Sequence, residues 1–291
     1  MRRILLILLG VIILGLITFR AIHLFEADVA EETKIDHALN QDGCLGLNYH
    51  RVRRPTIFNK TVSFFTRSDE LTRYSVYTND FEAQLQKLKS MDVTFVTPED
   101  IDRYQKKGSF PDRCVWINFD DIDRTVYENA FPILGKEKVP FTLYVIAGHV
   151  GDKDFQNLQM ATWPQILKMV DSGLATIGSH TYDMHRLEAD KPLFLNDNNL
   201  DAFAKDLEKS KTEIEKHLDI DPITFAYPYG NTNDKVAQVV KDAGFEQAAI
   251  LAPQSITVKD DAYYLNRIVT NPETFESIIL PYLEEQKKDE A

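Results

Sequence analysis

Cys114-Val115-Trp116-Ile117-Asn118-Phe119-Asp120-Asp121 is the stretch whose reading decides the fold. It opens on an apolar run rich in β-branched and aromatic side chains, and it closes on two adjacent carboxylates. A short run of this kind, bounded by polar residues, reads as a strand. A strand apolar on both faces belongs in a parallel sheet covered by helices. Asp120 and Asp121 then fall where the strand stops. Two neighbouring carboxylates cannot both be buried cheaply as anions. Either the turn is solvated or a cation lies beside the pair. For a bare Asp-Asp pair the solvated turn is the better reading, and only the rest of the chain shifts the balance.

Working outward, similar short apolar segments recur at Leu45–Tyr49, Val93–Val96, Thr142–Ile146, Ala175–Gly178, Ile223–Tyr227, Gln247–Leu251 and Tyr264–Val269. Helical patterns alternate with them. Thr78-Asn79-Asp80 leads into Phe81–Met91, Thr162 precedes Trp163–Ser172, Leu200–Leu218 repeats apolar residues at helical spacing, and Asp234–Ala243 ends at Gly244. The repeated order strand, helix, strand predicts an α/β domain with a parallel sheet. The number of such units points to a barrel rather than an open sheet. In a parallel barrel all strand C-termini open on one face, where sites are built.

Three further motifs sit at those ends. Ser179-His180-Thr181-Tyr182-Asp183-Met184-His185 follows Ala175–Gly178. Histidines five residues apart do not share a helix face, but on a loop leaving a strand they can converge on one ion. Two imidazoles and one carboxylate suit zinc, with other transition metals as alternatives. Phe225-Ala226-Tyr227-Pro228-Tyr229-Gly230 reads as a rigid turn able to point a backbone N–H outward. Leu47-Asn48-Tyr49-His50-Arg51-Val52 ends the first strand and offers His50 as an acid. Each motif alone is commonplace; together they describe a site.

The chain has 291 residues, 44% of them hydrophobic, and a formal net charge of −12. That length supports one sizeable core. The charge argues against a nucleic-acid partner. Arg2 and Arg3 precede an uncharged apolar run from Ile4 to Phe19. At about 1.5 Å per residue this spans roughly 24 Å, slightly short of a hydrocarbon core of about 30 Å. A signal-peptide core and a signal anchor both fit, and the lack of a small-x-small cleavage site favours an uncleaved anchor over residues 1–25. The early arginines put the N-terminus in the cytoplasm and the remainder outside. Residues 26–43 read as a stalk, and residues 44–291 as the catalytic domain. Pro55–Phe65 is an apolar loop that either folds back on the core or touches lipid or sugar. Cys44 and Cys114 each lie six residues before His50 and Asp120 respectively, so they sit at similar heights if their strands are neighbours. An extracytoplasmic site permits a disulfide, but the reading favours two buried free thiols.

Taken together, these motifs resemble the polysaccharide deacetylase family, carbohydrate esterase family 4, with its aspartate pair at Asp120-Asp121 and its two-histidine motif at His180 and His185. The strings Leu47–Arg53, Trp116–Asp121, Ala147–Gly151 and Ala226–Gly230 look like the poly-β-1,6-N-acetylglucosamine deacetylase branch found in biofilm-forming bacteria. So do the five-residue histidine spacing and the early place of His50. The resemblance spans about residues 44–275. It implies a distorted (β/α) barrel of about seven strands, of the NodB homology type, and one divalent transition metal: zinc foremost, with nickel, cobalt, iron and manganese as alternatives. It implies Asp121, His180 and His185 as metal ligands, Asp120 as general base, His50 as general acid and the Tyr229 N–H as oxyanion donor. Many relatives carry an arginine where this chain has Ala226; Arg267 is the candidate substitute. Asp183 is either a supporting residue or a solvated loop aspartate. The expected substrate is an N-acetylglucosamine polymer, acted on by a monomer that meets the membrane through its N-terminal segment. Peptidoglycan or chitin-like polymers are the rival substrates, and a non-catalytic glycan-binding adhesion protein is the rival class.

Overall fold

A computed structural model of the chain describes residues 43–55 and 69–286. The expected anchor, nearly all of the stalk and the Pro55–Phe65 loop beyond Pro55 lie outside the described residues. Among the described residues, no helix is long and apolar enough to cross a membrane.

The strands, in chain order, are β1 Leu45–Tyr49, β2 Arg51–Arg53, β3 Ser75–Tyr77, β4 Thr94–Phe95, β5 Cys114–Phe119, β6 Phe141–Val145, β7 Ala175–Ser179, β8 Leu187–Glu188, β9 Lys191–Pro192, β10 Thr224–Ala226, β11 Gln247–Ala249 and β12 Ile268–Val269. The main sheet runs β11-β10-β7-β6-β5-β1-β12, and every pair in it is parallel. β4 adds to the start of β5, below the point where β6 takes over the same edge. Backbone bonds from Ile250 N–H to the Leu265 carbonyl (2.9 Å) and from Ala252 N–H to the Arg267 carbonyl (3.0 Å) join the β11 side to the segment entering β12. The sheet therefore curls into the distorted barrel that the alternation of elements implied. β2 pairs with β3, and β8 with β9, outside this sheet.

Alternation along β5 explains the core. Cys114 and Trp116 join Tyr144, Ala226, Ala249 and Leu265 in one buried cluster drawn from strands across the barrel, so they face its interior. The polar atoms there are paired: Trp116 Nε1 donates to Thr142 Oγ1 (2.9 Å), and the Tyr144 hydroxyl bonds Thr224 Oγ1 (2.9 Å). Asn118 and Asp120 continue the same face upward, which sets a polar floor above the aromatic plug. On the other face, Phe119 stacks on Tyr49 and meets Phe81 of the Thr78–Ser90 helix. The Leu200–Leu218 and Asp234–Asp242 helices cover β10 and β11 through Phe203, Leu207, Val236 and Val240.

Most expected elements appear with their ends trimmed. The Tyr264–Val269 strand shortens to β12, and before it Leu265 keeps only an isolated parallel bridge to Ala249. β2, β3 and the Pro98–Lys107 helix were not anticipated. The free-thiol reading is overturned: Cys44 and Cys114 form a disulfide, with Cα atoms 4.6 Å apart. The register Leu45↔Val115 places them side by side on adjacent strands, which the sequence order, with three strands between them, does not reveal.

The disulfide closes a loop across a sequence separation of 70 residues. Cys44→Ala/Cys114→Ala should lower the unfolding free energy by about 2–5 kcal/mol, read from urea unfolding of the oxidised protein and the variant. An unchanged midpoint would mean that the bond adds nothing to the fold.

Candidate metal centre and acid-base site

The four motifs meet at the C-terminal mouth of the barrel. After β5 the chain turns sharply, with Asp121 and Ile122 both at positive φ (67° and 63°). For a β-branched residue this is a true outlier, costing on the order of 1–3 kcal/mol. It persists because Ile122 is buried, its N–H bonds the Asp120 carbonyl (2.8 Å), and its own carbonyl takes the Ala161 N–H (3.0 Å). The turn separates the two carboxylates, so that each meets different partners.

Asp120 faces Arg267. The guanidinium holds it in two bonds, Nη1 to Oδ1 at 2.6 Å and Nη2 to Oδ2 at 3.0 Å, while Nη1 also donates to Asn118 Oδ1 (2.9 Å). Arg267 is 1% exposed and lies over the Tyr144 ring. Burial alone would raise the Asp120 pKa, but Arg267, His180 and His50 outweigh it, and the carboxyl titrates below its ordinary value. Arg267 is thus the side chain that holds and aims Asp120.

Asp121 faces the histidines. Its Oδ1 lies 3.2 Å from His185 Nε2 and 3.6 Å from His180 Nε2. Ligand atoms of all three residues fall within 4.8 Å of one another, and all three residues are buried. His180 Nδ1 donates to the Ala226 carbonyl (2.7 Å), so the lone pair on Nε2 points at Asp121. Burial lowers the His180 pKa, against the pull of Asp120 and Asp121, which favours the neutral ring. Asp121 Oδ1 and His185 Nδ1 are buried with no hydrogen-bond partner. The Nε2 lone pair of His180 faces a carboxylate oxygen of Asp121, an arrangement that a shared cation would relieve. The donor set of two nitrogens and one oxygen therefore fits a transition metal and leaves positions open for small ligands.

The histidine loop is pinned from outside. Ala147 and Gly148 give their N–H groups to the Thr181 and Tyr182 carbonyls (3.0 and 2.9 Å). Asp206 takes the N–H groups of Tyr182 (2.7 Å) and Asp183 (2.8 Å). Gln156 donates to the His185 carbonyl (3.0 Å). Asp183 does not join the ligands; it bonds His149 Nε2 (2.8 Å) and Arg186 (3.2 Å) and acts as a loop tie. Asp206 and Gln156 carry no motif, and nothing in their local sequence marks them. Tyr229 takes φ 61° in the Pro228–Gly230 turn, with its ring 4.7 Å from that of His185. Gly230 next to it cannot be replaced, because a Cβ there would fall 2.6 Å from the Leu251 nitrogen at φ +70°. His50 sits between β1 and β2 against Tyr74, with Nδ1 unpartnered and its pKa lowered by burial to about 4. Arg51, next to His50 and unmarked by any local pattern, ion-pairs with Asp121 Oδ2 at 3.1 Å.

Arg267→Met would strand Asp120 as a buried anion, which should cost about 3–5 kcal/mol at pH 7. In the wild type Asp120 titrates below its unfolded value, so its contribution is present above the ordinary aspartate range and is lost as pH falls through the folded pKa. In the variant, burial raises that pKa, so acidification favours the fold. The stability gap between the two metal-free proteins should therefore narrow from pH 7 to pH 4 in urea unfolding; a gap independent of pH would contradict the pairing.

Residues 107–248 match the model of the polysaccharide deacetylase family. Over 288 residues, 99% of this chain and 98% of the relative, the sequence is 39% identical to the poly-β-1,6-N-acetyl-D-glucosamine N-deacetylase of Staphylococcus aureus strain COL. Among solved structures, IcaB from Ammonifex degensii superposes with a TM-score of 0.72 at 31% identity, covering 83% of this chain and 97% of that one. The deacetylase PplD of Streptococcus pyogenes, 24% identical, covers 83% of this chain and 98% of its own with a TM-score of 0.69, which speaks to the fold alone. The buried Asp121, His180 and His185 form a group that could hold a metal ion, as the metal-dependent chemistry of such enzymes requires, and the chain belongs to the polysaccharide deacetylase family.

Proposed function

We propose that this enzyme hydrolyses the acetamide of N-acetylglucosamine units in an extracellular poly-β-1,6-N-acetyl-D-glucosamine, a biofilm polymer. The observation that carries the chemistry is the convergence of Asp121, His180 and His185 beside an ionised Asp120. The choice of polymer rests on 39% identity, over nearly the whole length of both chains, to an enzyme named for that substrate. The full reading is a catalytic domain over residues 44–291 that works as a monomer outside the cytoplasm. It is tethered to the membrane through residues 1–25.

Asp121, His180 and His185 hold one transition metal, with zinc the best match to the donor set. When bound, that ion polarises an acyl oxygen and acidifies water. The protein supplies the proton traffic. Asp120, held anionic and aimed by Arg267, accepts the proton of the attacking water. The backbone N–H of Tyr229, turned by its positive φ, donates to the oxygen that becomes negative as the carbonyl carbon turns tetrahedral. His50 is neutral in the resting site, because burial outweighs the pull of Asp120 and Asp121. It therefore takes a proton from solvent as negative charge grows nearby and passes it to the departing amine, while Asp120 returns the proton of the attacking water to solvent. The C–N bond breaks, acetate leaves, and the freed amine takes up a proton near neutral pH, so the polymer gains positive charge.

The test is acetate release by the full-length protein from β-1,6-linked N-acetylglucosamine oligomers, with and without chelator. Release that stops with chelator and returns with zinc is expected. Faster release from chitin or peptidoglycan fragments would overturn the choice of polymer. Asp120→Asn and His50→Ala should each lower kcat by about 10²–10⁴-fold with metal content unchanged, whereas His180→Ala should lose the metal. A His180→Ala protein with full metal and full rate would refute the ligand set.

A further inference from the structure

Asp121 has two carboxylate oxygens, and they have different neighbours. Oδ1 looks at the two imidazoles, whereas Oδ2 lies 3.1 Å from a terminal guanidinium nitrogen of Arg51. The Arg51 side chain is only 6% exposed. It is the second buried guanidinium at the site, and the acid-base steps described above make no use of it.

The position of Arg51 follows from a break in the first strand. β1 leaves the main sheet after Tyr49, and at Arg51 the chain pairs instead with β3, in the register Arg51↔Ser75. Arg51 N–H bonds the Tyr74 carbonyl (3.2 Å), which fixes the backbone where it turns. From there the guanidinium lies between two carboxylates at ion-pair distance, although its Nε does not meet hydrogen-bond geometry. Its Nε lies 2.8 Å from Glu70 Oε1, and the same oxygen takes an Arg53 nitrogen at 2.7 Å. Burial raises the Glu70 pKa, against the pull of Arg51 and Arg53. Arg53 is tied in turn to Ser75 Oγ (2.9 Å), which donates to the Glu70 carbonyl (2.5 Å). A chain of fixed groups thus ends on Asp121 Oδ2.

We propose that Arg51, braced by Glu70, is a positioning residue that keeps Asp121 a one-oxygen ligand. With Oδ2 committed to the guanidinium, only Oδ1 is free for the ion, and the coordination positions that a second oxygen would take stay open for water and the acyl oxygen. Partners of this kind orient metal ligands, and their loss typically costs about 10–100-fold in affinity or activity. The planar fork matters as well as the charge, since one face of the guanidinium must meet Glu70 and Asp121 together.

The inference rests on the metal-site reading, so the test separates the two. Zinc affinity is measured by competition with a chromophoric chelator on the full-length protein, for wild type, Arg51→Gln, Arg51→Lys, Glu70→Gln and His185→Ala. Cobalt-loaded samples report coordination number through the intensity of their visible bands. Arg51→Gln should weaken zinc binding by about 10–100-fold and dim the cobalt bands, as the released carboxylate swings in with both oxygens. Arg51→Lys should restore less than half of the loss on a logarithmic scale, and Glu70→Gln, which keeps the Arg51 charge and serves if Arg51→Gln does not fold, should shift both readouts in the same direction. Wild-type affinity and an unchanged cobalt spectrum in folded Arg51→Gln or Glu70→Gln would overturn the role of Arg51, as would full rescue by lysine. If His185→Ala also kept wild-type affinity, the ligand set itself would be the failed premise.

Discussion

A guanidinium and a carboxylate, both nearly sealed from water, lie against each other at the top of the barrel, and much of the molecule is arranged to make that contact possible. Arg267 belongs to the segment entering the last strand and Asp120 follows the fifth, so their two bonds of 2.6 and 3.0 Å join elements 147 residues apart in sequence. Removing two charges from water is expensive, and that cost is offset by the groups packed around the pair. Asn118 takes a further bond from the arginine and another from Asn48, and the Tyr144 ring lies below. Gly46 has no side chain where Arg267 and Trp116 crowd against it. The contact fixes the direction of Asp120 and keeps it charged, and both are conditions for it to take a proton.

The second carboxylate repeats the solution with different partners. Asp121 is spun away from Asp120 by two residues at positive φ, and it finds Arg51 on one oxygen and the histidines on the other. Each acidic group therefore has its own arginine. What remains unbalanced is one carboxylate oxygen and two imidazoles converging on a common point. That residual imbalance makes the site selective for a cation, and it follows from packing rather than from the bare count of acidic residues. The acidic surface of the chain, at net charge −12, is a separate matter and suits a polymer whose deacetylated units are cationic.

The parts of this site legible in the sequence were those carried by strand ends. Asp120-Asp121, His180, His185 and Tyr229 each follow a recognisable apolar run, and a parallel barrel gathers such ends on one face. Arg267 drew notice only as a basic residue in the last apolar segment, and its contact with Asp120 depends on the barrel bringing β5 and the approach to β12 together. Arg51 was in plain view within the first motif, but its role depends on β2 leaving the main sheet to pair with β3, and nothing in three residues announces that. Asp206 and Gln156 act through backbone groups of a loop distant in sequence, which local patterning does not encode. The disulfide shows the same limit. Equal spacing put both cysteines at one height, yet their bonding depends on β1 and β5 being neighbours, a matter of sheet order and not of chain order.

The central claim is that two imidazoles and one carboxylate oxygen of this chain hold a metal at the barrel mouth. X-ray absorption at the zinc edge of the zinc-loaded protein tests it most directly. The account predicts a first shell of nitrogen and oxygen at about 2.0–2.2 Å, with outer-shell scattering from two imidazole rings. A shell of oxygens alone, or scattering from fewer than two rings, would contradict it.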